Sequence, residues 1–166
     1  MSWPADRLLR GAFTALVTPF TADGAVDERA FRDFVDWQLM AGIDGLVPCG
    51  TTGESPTLSS AEKDALIDWA VEAARAHESE RRVAVIAGTG TNDTAASIAA
   101  TRRAAALGAD AALVVTPYYN RPDQRMIVWI WSRLPLASLT ATMRGCSARR
   151  SSVAASTLAP VRPGTL

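Results

Sequence analysis

The chain has 166 residues, 48% apolar and 20% charged, with seventeen acids against seventeen lysines and arginines, the composition of a globular domain long enough to bury a core. A net charge of zero gives no electrostatic ground for a nucleic-acid or membrane partner, and no stretch reaches the eighteen or so apolar residues of a membrane span. Met1–Arg7 lacks the basic and apolar regions of a signal peptide, and two cysteines, Cys49 and Cys146, are no disulfide framework, so a reduced, cytoplasmic protein is expected.

Residues 12–17 read as a buried strand, ended by Thr18-Pro19. After the turn-rich Thr21–Gly24, Asp27 is a good N-cap for a helix reaching about Met40, with Phe31, Phe34, Val35 and Leu39 on one face and Gly42 beyond its end. A short strand, Gly45–Cys49, leads into Gly50-Thr51-Thr52-Gly53-Glu54-Ser55. Ser59 with Glu62 three residues later forms a capping-box pattern opening a helix over 60–77, with Leu66, Ile67, Ala70 and Val71 as its inner face. His77 ends that helix, where a cation favours the dipole. Residues 82–87 are a third strand, bounded by Gly88-Thr89-Gly90; Asn92, Asp93 or Thr94 caps the next helix, to about Leu107. Ala111–Val115 is the fourth strand, and Thr116–Pro122 the loop after it.

This β-α-β-α-β-α-β order, with continuous apolar strands, suits a parallel sheet, as in a doubly wound fold or a (β/α)₈ barrel. The loop after the first strand has no Gly-x-Gly-x-x-Gly turn. Polar, Gly- and Thr-rich loops instead follow strands two, three and four, where a barrel keeps its active site. The chemistry changes near Gln124. Residues 1–124 hold all the acids and eleven cations, a net of −6; residues 125–166 hold six arginines and no acid. We therefore divide the chain into a partial barrel domain, 1–124, and an Arg/Ser/Ala-rich, irregular tail, 125–166. A reading-frame shift near codon 124 would produce such a break; so would a disordered basic tail.

In Gly50–Ser55, two glycines allow a tight turn, and Thr51 and Thr52 offer hydroxyls and amides suited to a small carboxylate. No lysine follows the glycines, so this is not a Walker phosphate loop. Taken alone, the run is more readily a polar βα-turn than a site. Tyr118-Tyr119 could relay protons or stack in an interface, though such a pair between prolines is more often packing. No His, Cys or carboxylate cluster has metal-ligand spacing.

Together, Cys49–Ser55, Ala87-Gly88-Thr89-Gly90 and Thr116-Pro117-Tyr118-Tyr119-Asn120-Arg121-Pro122 closely resemble the dihydrodipicolinate synthase (4-hydroxy-tetrahydrodipicolinate synthase) family, over residues 11–124. N-acetylneuraminate lyase and other sugar-acid lyases share the Gly-x-Thr-Gly-Glu turn; the tyrosine loop favours the synthases. The resemblance implies half of a (β/α)₈ TIM barrel, four strands and three helices. It also implies a Schiff-base lyase condensing pyruvate with aspartate semialdehyde in the lysine and diaminopimelate route, with no cofactor or metal. Thr51 would relay protons, Thr52 would bind the pyruvate carboxylate with Thr51 beside it, and Tyr119 would reach into a neighbouring subunit's site. An allosteric lysine pocket would draw on Ser55, Asn92 and Tyr118. Ser60, Lys63 and Ala96 stand where lysine-sensitive relatives carry two histidines and a glutamate, so feedback inhibition is not expected. The family is homo-oligomeric, of the tetramer-of-dimers type.

The resemblance places the Schiff-base lysine on strand six, beyond the region that matches. Lys63, the only lysine, reads as a solvated charge in the first turn of a helix, a poor amine nucleophile. The chain is thus expected to be inactive alone, a non-catalytic remnant of the enzyme. Four strands would leave two open edges and apolar side chains facing water in the barrel interior, which predicts aggregation or pairing with another copy.

Overall fold

The computed structural model describes residues 9–78, 82–133 and 157–160. Its first three helices start where side chains satisfy their free amides. Asp27 accepts from the Ala30 N–H at 2.9 Å and opens α1, Glu28–Met40. Ser59 and Glu62 exchange both bonds of the capping box, at 3.2 and 2.7 Å, and open α2, Ser60–Ala76. Of the three residues able to cap α3, Thr94–Ala106, Asp93 does so, accepting from Ala95 and Ala96. Each such cap contributes about 1 kcal/mol.

Between the helices run β1 (Phe13–Ala15), β2 (Gly45–Val47), β3 (Ala84–Gly88) and β4 (Ala111–Val114), hydrogen-bonded in chain order and all parallel. Side chains alternate across them. Leu46, Val85 and Ala87 join a core with Phe31, Val35 and Leu39 of α1, Leu66, Ile67 and Ala70 of α2, and Ala104 of α3. Ala112 and Val114 meet Ile98 and Ala105 of α3. All three helices thus cover one face, as in a barrel wall; a doubly wound sheet has them on both.

The opposite face carries Val47, Ile86 and Ala111, with Leu9, Phe13 and Leu113 packed against them. Contrary to the expectation that interior side chains meet water, Val47 is 8% and Ile86 1% exposed. The segment leading into β1 folds across this face through Leu9. Two further elements lie where the sequence suggested an irregular tail: α4, Gln124–Arg133, and β5, Thr157–Pro160, which pairs antiparallel with β4 from Ala111↔Pro160 to Val114↔Thr157. An amide bond from Met126 to the Asp123 carboxylate at 2.8 Å starts α4, and Ile130 is its buried side chain. The edge strands of the sheet are β1 and β5.

At the N-terminal ends of the strands, Asp110 is buried and accepts from several donors. The Val85 N–H reaches it at 2.9 Å, Arg75 bonds both its oxygens at 2.9 Å, and Arg82 completes the set. One carboxylate thereby joins β3, β4 and the end of α2. Asp110→Ala strands a buried amide and two arginines, and we expect it to cost about 2–4 kcal/mol. Arg29→Ala, which breaks an exposed pair 4.0 Å apart with Asp33, should change stability by less than about 0.5 kcal/mol. Urea denaturation of the two variants checks the contrast.

Candidate active site

The loops following β2, β3 and β4 converge at the strands' C-terminal ends, and their approach is set by glycine. A Cβ at Gly88 would lie 2.0 Å from the Cys49 carbonyl oxygen, and one at Gly90 2.4 Å from the Val115 nitrogen. The Gly88 amide donates to Pro48 at 2.9 Å, and the Thr89 amide to Leu113 at 3.1 Å. Only chains without side chains at 88 and 90 bring these three loops into contact.

After β2 the backbone makes two successive 3₁₀ turns, Thr51–Gly53 and Ser55–Thr57; in the first, Gly53 donates to Gly50 and Glu54 to Thr51, both at 3.1 Å. That pattern leaves the Thr51 and Thr52 N–H groups without an acceptor among the described residues. Thr18, buried at the end of β1, donates to the Gly53 carbonyl at 2.7 Å and fixes the turn from below. The freedom expected of the glycines is not used as rotation at Gly50, whose φ is −74°. The left-handed positions are instead Cys49 (φ 58°) and Glu54 (φ 55°).

These loops and the first turn of α2 enclose a cavity of about 430 Å³, lined among others by Gly50, Thr51, Ser55, Lys63, Thr91, Thr116 and Tyr118. Thr51, Ser55 and Tyr118 are therefore brought together. Thr52, adjacent in the turn, is exposed and does not line the cavity. Asn92 does not line it; its carbonyl accepts from the Asn120 side chain at 3.1 Å. Tyr119 points away: it is 95% exposed, with φ 69°, in a tight turn closed by the Asn120 N–H on the Tyr118 carbonyl at 2.8 Å.

The pattern of the dihydrodipicolinate synthetase family matches residues 8–129. The chain belongs to that family. As a dihydrodipicolinate synthetase family member, it is 55% identical over 120 residues to the 4-hydroxy-tetrahydrodipicolinate synthase of Rhodopseudomonas palustris, covering 72% of this chain and 38% of the relative. It is 52% identical over 127 residues to that of Brucella abortus, covering 76% and 42%. Its structure is similar to the Acinetobacter baumannii dihydrodipicolinate synthase complexed with pyruvate, with a TM-score of 0.69 and 41% identity over 74% of this chain and 40% of that one. The chain thus spans about two-fifths of the length of the relatives it matches, and its four parallel strands are half of the family's barrel.

Two contributors escaped the sequence reading. Thr18 was visible only as a polar residue closing a buried strand. Lys63 was read as a solvated surface charge, yet it is half-buried and lines the cavity. The turn after β2 folds back onto α2, where the Cys49 thiol donates to the Lys63 carbonyl at 3.7 Å.

Burial pushes the Cys49 thiol from 9.0 up to about 12, against the pull of the nearby Lys63 charge. In the unfolded chain the thiol ionises first, so folding loses about 1.4 kcal/mol per pH unit from this group as pH rises between those values. At pH 8 we expect Cys49 to resist iodoacetamide in the folded chain and to react on unfolding, as read by peptide mass mapping.

Proposed function

We propose that this chain carries the carboxylate-binding half of a 4-hydroxy-tetrahydrodipicolinate synthase-type site, which condenses pyruvate with aspartate semialdehyde in lysine and diaminopimelate biosynthesis. The observation that carries the reading is the turn at the mouth of β2, where the consecutive Thr51 and Thr52 N–H groups have no acceptor among the described residues and Thr51 lines a cavity at the C-terminal ends of the strands. Free amides with hydroxyls beside them bind a small carboxylate without needing a charge. In this reading Thr52 holds the pyruvate carboxylate, with Thr51 beside it, and the Thr51 hydroxyl relays a proton. Tyr119, held outward by its turn, serves the site of a neighbouring subunit rather than its own, in a cytoplasmic homo-oligomer.

Imine chemistry requires an amine aimed at the pyruvate carbonyl carbon. The single lysine, Lys63, stands on α2 and not on a barrel strand. We therefore propose that residues 1–124 are the barrel-derived part, that 125–166 do not supply the nucleophile, and that the chain alone binds pyruvate without turning it over. The pocket of Ser55, Asn92 and Tyr118 belongs to the same reading as the place of an allosteric lysine site, weakened here because Ser60, Lys63 and Ala96 do not form its usual charge set.

Borohydride reduction in the presence of pyruvate, followed by intact mass, should give no adduct. An adduct mapped to Lys63 would refute the non-catalytic reading. Pyruvate titration should show saturable binding, weakened about fivefold in Thr52→Val through loss of one hydroxyl hydrogen bond. Absence of saturable binding to the unaltered chain would overturn the carboxylate-turn assignment.

A further inference from the structure

Two helices carry large apolar side chains into solvent, and the charges beside those side chains are opposite. On α1, Trp37 and Met40 are each more than half exposed, and Trp37 stacks on Phe34 with ring centroids 6.0 Å apart. Asp33 and Asp36 stand one helical turn before them on the same stripe. Asp36 has no ion pair among the described residues, and Asp33 has a loose, exposed one with Arg29 at 4.0 Å. On α4, Met126, Val128 and Trp129 are each more than half exposed. That helix has no acid; Arg125 and Arg133 flank its apolar centre, and Arg133 lies over the Trp129 ring at 4.8 Å. A helix of ten residues is marginal in water by itself, and among the described residues Ile130 is its one buried side chain.

We propose that α4 of one copy of this chain seats on the outer face of α1 of a second copy, and reciprocally, in a two-fold dimer. Val128 and Trp129 then cover Trp37 and Met40, while Arg125 and Arg133 meet Asp33 and Asp36. Charge decides the occupant. Residues 1–124 carry a net charge of −6, and residues 125–166 carry six arginines without an acid, so the tail segment of each copy is attracted to the body of the other. An anionic lipid surface would attract α4 but repel that acidic body. Each copy holds both halves of the contact, so a two-fold pair makes it twice and leaves neither face open. The surface is distinct from the exposed Tyr119 loop, and from the barrel-facing side of the sheet, where Leu9 and Phe13 pack.

Sedimentation equilibrium of the full chain should show a reversible monomer–dimer association. It should weaken as salt shortens the screening length from about 10 Å at 0.1 M to about 3 Å at 1 M. Arg125→Glu with Arg133→Glu, and separately Asp33→Arg with Asp36→Arg, should each weaken the dimer by about tenfold or more, because like charges then face each other. Mixed in equal amounts, the two double variants should form a heterodimer, since each reversed face meets its complement; that recovery also shows that neither has lost its fold. A monomer at every concentration, or a dimer that neither double variant weakens, overturns the proposal. Two variants that stay folded by circular dichroism and form no dimer on mixing overturn it as well. A chain that remains monomeric yet co-sediments with phosphatidylserine vesicles assigns α4 to a lipid surface instead. A dimer kept by both charge variants and lost in Tyr119→Ala moves the contact to the tyrosine loop.

Discussion

The site depends first on two backbone approaches that no side chain could survive. At Gly88 the C-terminal end of β3 runs against the Cys49 carbonyl, and at Gly90 the loop beyond it runs against Val115. These contacts draw the loops after β2, β3 and β4 into one wall, and the cavity is what remains between that wall and α2. An alanine at either position would push neighbouring backbone by an ångström or more, since protein interiors have no spare volume to absorb it. The glycines act here by absence of volume, whereas the positive φ angles in the turn fall on Cys49 and Glu54.

The opposite end of the sheet is organised by charge. Asp110 gathers donors from β3 and α2, and because it is buried, its hydrogen bonds are worth more together than on the surface. The two ends therefore serve different purposes. Between them, side-chain alternation puts Leu46, Val85 and Ala87 toward the helices and Val47, Ile86 and Ala111 toward the barrel interior. Val47 and Ile86 keep the size expected of side chains that fill a barrel, and Leu9 and Phe13 take part in covering them.

Much of this arrangement was legible in the residues. The caps at Asp27 and Ser59 each name a helix start because a side-chain oxygen must meet an amide that the helix leaves free. The apolar runs at 45–49, 82–87 and 111–115 name parallel strands because both of their faces are covered. What was not legible depends on tertiary approach. Lys63 sits in a helix's first turn, where charge normally means solvent, and only the fold-back of the turn after β2 places it on a cavity wall. Thr18 shows no local sign of its bond to Gly53, 35 residues away. The β5 pairing joins strands separated by more than forty residues, a register that no local pattern encodes.

Backbone strain separates the functional end of the sheet from the structural one. Among the described residues, the non-glycine residues with positive φ are Cys49, Glu54, Tyr119 and Arg121, and all four lie in the loops after β2 and β4. Each such conformation costs of order 1–3 kcal/mol and persists only where surrounding contacts over-determine it. Those contacts are present: the Thr18 hydroxyl on Gly53, the Cys49 thiol on Lys63, and the Asn120 side chain on Asn92. At Cys49 and Glu54 the left-handed conformations bracket the Thr51–Thr52 segment and hold its free amides on an exposed turn. At Tyr119 the same conformation carries a large aromatic ring into solvent, at a cost that packing among the described residues does not repay. Strain that brackets the Thr51–Thr52 turn and turns the Tyr119 ring outward is not explained by stability alone, since unstrained turns would close the same loops at lower cost. It is explained if the donors meet a ligand and the ring meets another subunit.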